Sequence, residues 1–299
     1  MRIGIDLGGT KIEGIVLDGS GNERARKRVA SPRGDYAATI AAIRDLAAAL
    51  EAEAGEQGTI GIGMPGIVSP ATGLVKNANS TWLIGHPFGR DLEAALGREV
   101  RLANDADCFA LSEATDGAAA GAASVFGVIL GTGVGGGIVV NGALLSGPNA
   151  IAGEWGHNSL PFVLPDEMPG PECYCGKKGC IETWLSGPGF AADYMLDTRE
   201  ALSPEAIVAA AEGGDRPARL ALRRYADRLA RALAHVINIL DPHVIVLGGG
   251  MSNIAALYDE VPARWGAYVF SDTVETRLAR HKHGDTSGVR GAAWLWPAR

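Results

Sequence analysis

Residues 2–17 read Arg-Ile-Gly-Ile-Asp-Leu, then Gly-Gly-Thr, then Lys-Ile-Glu-Gly-Ile-Val-Leu, with apolar side chains recurring on both sides of a short glycine turn. That spacing predicts two strands folded back as a hairpin. The same design returns 123 residues later. Setting "MRIGIDLGGTKIEGIVLDGS" over "SVFGVILGTGVGGGIVVNGA" aligns Gly4, Leu7, Gly8, Gly14, Ile15, Val16 and Gly19 with Gly127, Leu130, Gly131, Gly137, Ile138, Val139 and Gly142. Two such hairpins, each opening a half of similar size, predict two related lobes facing one cleft. Chance likeness between glycine-rich hairpins is the competing explanation.

Between the hairpins the period changes. Tyr36, Ile40, Ile43, Leu46 and Leu50 recur at helical spacing, and "TIGIGMPG" and "EVRLAND" follow as strands ending at Gly66 and Asp105. In the second half Tyr225, Leu229, Leu233, Ile237 and Leu240 mark a long helix, and after Pro242 comes the strand "HVIVLGGG". Strands alternating with helices predict an α/β protein. The glycine- and proline-rich stretch 161–179 reads as a loop held by its cysteines.

A chain of 299 residues has room for about two domains and ample core. With 27 basic and 34 acidic side chains, the net charge is -7 and no basic run marks a nucleic-acid footprint. No window approaches an apolar membrane span, and the first residues lack a signal-peptide pattern, so no membrane partner and a cytoplasmic location are expected. In a reducing compartment clustered cysteines point to a metal rather than to disulfides.

The candidate chemistry sits at strand ends. In "DLGGTK", Gly8 and Gly9 let backbone amides approach an anion, Thr10 and Lys11 add donors, and Asp6 could hold a hydrated Mg²⁺. "GTGVGGG" repeats the device with Gly131, Thr132 and Gly133, and Gly248, Gly249 and Gly250 do so a third time. Three such turns predict nucleotide binding, although any one alone reads better as a tight turn. Asn104 and Asp105 end a strand before a helix, which suits helix capping and also suits a general base, Asp105, beside an orienting amide, Asn104. Asn79, in "KNANSTW", fits either hydroxyl recognition or a surface turn. His157, Cys173, Cys175 and Cys180 supply the ligand set of a closed tetrahedral Zn²⁺ site, hence a structural rather than catalytic one. Cys108 reads as a core thiol. Glu154 and Glu182 flank the ligands, either as partners of a small ligand beside His157 or as incidental surface acids.

Taken together, "DLGGTK", "NANSTW", "LANDAD", "GTGVGGG", "GEWGHN", "CYCGKKGCIE" and "NILDPHVIVLGGGMSN" resemble, in that order, the ROK group of bacterial sugar kinases over essentially the whole chain. The likeness is closest to the proteobacterial fructokinases that also accept mannose. It implies an actin-like, ribonuclease-H-like ATPase fold. An N-terminal lobe at residues 1–118 would be rejoined by a segment at about 286–299, and a C-terminal lobe at 119–285 would carry a zinc knuckle at 153–182. It further implies Asp105 as the base and Gly66, Asn79, Asn104, Glu154, His157 and Glu182 as the sugar-binding set. ATP and Mg²⁺ would lie on the three glycine turns, the knuckle would hold structural zinc, and the protein would form a homodimer. The expected reaction is phosphorylation of the 6-hydroxyl of fructose, with mannose second. Glucose, an N-acetylhexosamine, N-acetylmannosamine, or a silent sugar sensor are the alternatives. The family's transcription repressors carry an N-terminal helix-turn-helix, which a first strand starting at residue 3 leaves no room for.

Overall fold

The structure is a computed structural model that describes residues 1–297. Among the described residues twelve strands appear, in chain order: β1 (Arg2–Leu7), β2 (Lys11–Leu17), β3 (Glu23–Ala30), β4 (Thr59–Met64), β5 (Ile67–Val68), β6 (Val75–Lys76), β7 (Val100–Asn104), β8 (Ser124–Leu130), β9 (Val134–Val140), β10 (Ala143–Leu144), β11 (Val244–Gly248) and β12 (Arg277–Arg280). They build two five-stranded sheets, ordered β3-β2-β1-β4-β7 and β10-β9-β8-β11-β12, while β5 and β6 form a small hairpin. Each large sheet thus starts from one of the two hairpins recognised in the sequence and sets a later strand beside its first.

By contacts the chain divides into two units. One takes in residues 1–121, 137–152 and 282–299, the other 122–136 and 153–281. In the first, β1 runs antiparallel to β2 and parallel to β4, with Ile5 opposite Gly14 on one side and Ile62 on the other. Ile3, Ile5, Ile60 and Ile62 are fully buried against Ile43, Leu46 and Leu50 of the helix Tyr36–Ala54. That helix starts at Asp35, whose side chain accepts the Ala38 N–H, and stops at Gly55 in the left-handed region. The opposite face of β1 and β4 is covered by the helix Ser287–Trp294 at the far end of the chain. Its backbone lies so close that a methyl at Gly4 or Gly61 would meet the carbonyl oxygens of Val289 and Ala292 at 2.1 and 1.9 Å.

The second unit is organised by the 25-residue helix Arg216–Leu240, capped by Asp215 and begun with Pro217 in its first turn. Tyr225, Leu229, Leu233 and Ile237 lie on its buried side, while Leu240, the last of the five, is only partly covered. The Tyr225 hydroxyl donates to the Leu185 carbonyl at 2.8 Å. β11 runs parallel to β8, with Val246 opposite Gly127. Among the described residues no helix is long and apolar enough to cross a bilayer.

Candidate functional site

Parallel strands bring their carboxyl ends to one edge of a sheet, where α/β proteins bind ligands. Asp6 pairs with Gly63 and Met64 with Asn104, so β1, β4 and β7 deliver Asp6, Gly66, Asn104 and Asp105 to a common edge. Asn104 caps the helix Asp105–Thr115: its Oδ1 accepts the Ala106 N–H at 2.9 Å while its Nδ2 donates to the Gly66 carbonyl at 3.2 Å. The capping function is therefore real, and it also fixes which way the amide points. Gly66 adopts φ +79°, a left-handed conformation that a side chain would strain. Asp105 opens the helix, where the helix dipole favours a carboxylate, and its Oδ1 also accepts the Ala106 N–H, at 2.8 Å.

Asp6 has a strongly perturbed carboxyl. Burial first, and then the charges of Asp105 and Glu13, push it up to about 7 against a smaller opposing pull from Lys11. A carboxylate so disfavoured is eased by a bound divalent cation, whose charge reverses the local balance. The adjoining turn closes through the Gly8 N–H on the Lys11 carbonyl at 3.0 Å, and Arg33 Nε donates to the Gly9 carbonyl at 2.6 Å. Gly9, Thr10 and Lys11 remain exposed, with Lys11 Nζ 3.5 Å from Glu13. Asn79 is exposed in the turn before Thr81–Leu83, and its carbonyl accepts the Thr81 N–H.

In the second unit, two of the glycine turns meet. The Gly249 backbone packs against Leu130, immediately before Gly131, and the Gly131 N–H bonds to the Gly133 carbonyl at 2.9 Å. The Gly131 carbonyl in turn accepts the N–H of Gly187, at the start of the helix Gly187–Thr198. Glu182 reaches the same loop, its Oε2 accepting the Val134 N–H at 2.9 Å. The glycine at 133 leaves room for this oxygen, since a Cβ there would sit 2.6 Å from it and the Glu182 carboxylate would have to shift. Trp155 fastens the neighbouring segment: it packs edge-on against Phe126 and donates from its indole to the Gly135 carbonyl at 3.1 Å. Glu154 immediately precedes, and His157 ends, the short turn that Trp155 anchors.

The His157, Cys173, Cys175 and Cys180 donor atoms all lie within 4.8 Å of one another. Cys175 Sγ is 3.6 Å from Cys180 Sγ, and Cys173 Sγ is 3.6 Å from His157 Nδ1. Tetrahedral zinc with metal–sulfur bonds of about 2.3 Å and metal–nitrogen bonds of about 2.0 Å requires separations of about 3.5–3.8 Å, so the four residues fit that ion. Burial first, and then Cys175 and Cys173 nearby, push the Cys180 thiol up to about 12, and a bound cation would favour its thiolate. The backbone is folded to suit, with the Cys173 N–H on Lys177 and the Gly176 N–H on Cys173. Cys180 then caps the helix Ile181–Leu185, which puts Glu182 in its first turn.

Three features at this site carry no sequence pattern that announces them. Glu167, buried in the loop before the cysteines, receives Arg228 Nε at 2.9 Å and Arg231 Nη2 at 2.7 Å on one oxygen, and Arg231 Nη1 and the Leu164 N–H on the other. It thereby fastens the loop to the long helix. The Trp155 anchor is the second. The third is Tyr174, whose hydroxyl meets His157 Nε2 at 2.9 Å.

The ROK family model matches residues 2–299, and the chain belongs to that family. It is 42% identical over 299 residues to an N-acetyl-D-glucosamine kinase of Yersinia pseudotuberculosis, covering 99% of this chain and 98% of the relative. Among solved structures it is similar to a ROK hexokinase from Thermus thermophilus, with 32% identity, TM-score 0.87, and 98% and 96% of the two chains covered. It is also similar to a ROK glucokinase from Streptomyces griseus in complex with glucose and AMPPNP, with 29% identity, TM-score 0.75 and 98% of both chains covered. The fold is accordingly the α/β, actin-like ATPase fold of this family.

Proposed function

We propose that the protein is an ATP-dependent sugar kinase that phosphorylates the 6-hydroxyl of N-acetyl-D-glucosamine. The observation that carries the choice of sugar is the 42% identity to an N-acetyl-D-glucosamine kinase along the full length of both chains. The expected preference for fructose and mannose has no counterpart among the relatives just described, and N-acetyl-D-glucosamine takes its place.

In this reading Asp105 accepts the proton of the attacking hydroxyl, and Asn104, oriented by Gly66 and the helix it caps, holds a neighbouring hydroxyl. Glu154, His157, Glu182 and Asn79 complete the sugar set. The amides of the 8–11, 131–133 and 248–250 turns bind ATP, with Lys11 adding charge. Asp6 is the group placed to hold Mg²⁺, which when bound supplies charge neutralisation on the transferring phosphoryl group. The four-residue knuckle holds zinc with no open coordination position, so it fixes His157 and Glu182 rather than taking part in the chemistry.

ADP release with MgATP across N-acetyl-D-glucosamine, glucose, mannose and fructose tests the proposal. The highest kcat/KM is expected for N-acetyl-D-glucosamine. A higher value for fructose or mannose would reinstate the earlier expectation, and no turnover with any sugar would remove the kinase assignment.

A further inference from the structure

The two nitrogens of His157 face different neighbours. Nδ1 lies 3.6 Å from Cys173 Sγ, on the metal-ligand side, whereas Nε2 is bonded to the Tyr174 hydroxyl at 2.9 Å, with the rings edge to face at 5.1 Å. Tyr174 stands between two of the knuckle cysteines, yet its side chain is 80% exposed. Little packing holds the ring where it is. Its hydroxyl end, by contrast, is held by the hydrogen bond to the imidazole. The hydroxyl therefore occupies the His157 nitrogen that is not on the metal-ligand side, and His157 is one of the groups assigned above to the sugar.

A phenol hydroxyl and a sugar hydroxyl are the same kind of partner to an imidazole nitrogen, each able to donate or accept one bond. We propose that Tyr174 is a built-in competitor for the sugar site: its hydroxyl occupies His157 Nε2 in the empty protein and swings into solvent when a sugar hydroxyl takes that nitrogen. The main chain on either side is pinned by the Cys173–Lys177 and Cys173–Gly176 hydrogen bonds, so the exchange needs only rotation of an exposed side chain. Its effect is to weaken sugar binding by the free energy of one hydrogen bond while leaving the phosphoryl-transfer groups alone. This inference rests on the sugar-kinase reading above.

The test is Tyr174→Phe, which keeps the ring and deletes the competing hydroxyl. Sugar affinity is measured by calorimetry without ATP on zinc-loaded protein, using the sugar the unsubstituted protein turns over fastest, with kcat and KM measured alongside. Loss of one net hydrogen bond to the competitor predicts a Kd and KM lower by about two- to tenfold with kcat little changed. An unchanged Kd in a variant that retains its zinc overturns the proposal, and a raised Kd does so by showing that the phenol is a sugar ligand instead. Should Tyr174→Phe fail to hold zinc, Tyr174→Leu provides the same comparison. Failure of the unsubstituted protein to bind or turn over any sugar would be a different result, overturning the kinase reading itself.

Discussion

Replacing Asp6 with asparagine should stabilise the protein at alkaline pH while abolishing its activity with MgATP. The Asp6 carboxyl is raised from an ordinary value of 3.8 to about 7, so between those limits the folded protein holds a proton that the unfolded chain has released. Where the native state binds more protons, stability falls as pH rises. The penalty is absent below about pH 4, grows through the interval and is complete above about pH 7. A shift of about 3 units at about 1.4 kcal/mol each sets a ceiling of about 4 kcal/mol. Asp6 keeps part of its surface in solvent, and screening brings the expected value nearer 2 kcal/mol. Asparagine preserves the shape and removes the titration. Thermal melts of both proteins, without chelator or added Mg²⁺, should coincide near pH 4 and separate by about 4–8 °C at pH 8, with the variant higher. Because the Asp105 charge is the second cause of the shift, Asp105→Asn should lower the Asp6 pKa, so that the loss is smaller and complete at a lower pH. Equal melting temperatures at pH 8, or a separation already complete at pH 4, would refute the account of Asp6 as a charge held at a loss for a cation.

Three further outcomes follow from the same geometry. Asp105→Asn should lower kcat by at least about 100-fold with the fold retained, and near-normal turnover in that variant would remove its role as base. Glu167→Gln should destabilise the protein by about 3–5 kcal/mol at pH 7, since it leaves Arg231, 1% exposed, short of its main anion. Burial would raise the Glu167 carboxyl, but Arg231, the Leu164 N–H and Arg228 hold it at about 2, so its contribution is present above about 4.5 and lost as pH falls through about 2. Denaturant melts at pH 7 and pH 3 should accordingly show the variant's deficit shrinking at the lower pH, and a constant deficit would sink the ion-pair explanation. Cys180→Ser should lose zinc by metal analysis and weaken sugar binding at least about tenfold, and normal sugar affinity in zinc-free protein would show that the knuckle does not position His157 or Glu182.

Much of this protein was legible before folding. Local chemistry determined the two hairpins, because alternation and glycine turns act within a few residues, and it marked the long helices through their 3.6-residue apolar spacing. The cluster of His157, Cys173, Cys175 and Cys180 was readable for the same reason: soft donors in one short stretch announce themselves by type. Other assignments needed the third dimension. Whether Asn104 caps a helix could not be decided along the chain, and the structure shows its amide doing so while its nitrogen is held on the Gly66 carbonyl. The raised carboxyl of Asp6 depends on Asp105, 99 residues further on, and on the burial that three strand ends and a returning helix create together. Glu167 is an ordinary loop glutamate until Arg228 and Arg231 arrive from a helix more than 60 residues away. Tyr174 has no motif of its own, and its meaning lies in a single contact with His157 Nε2. Residue type and spacing determine what short-range geometry can do, whereas charge, desolvation and competition for one nitrogen depend on which distant groups the fold brings within a few ångströms.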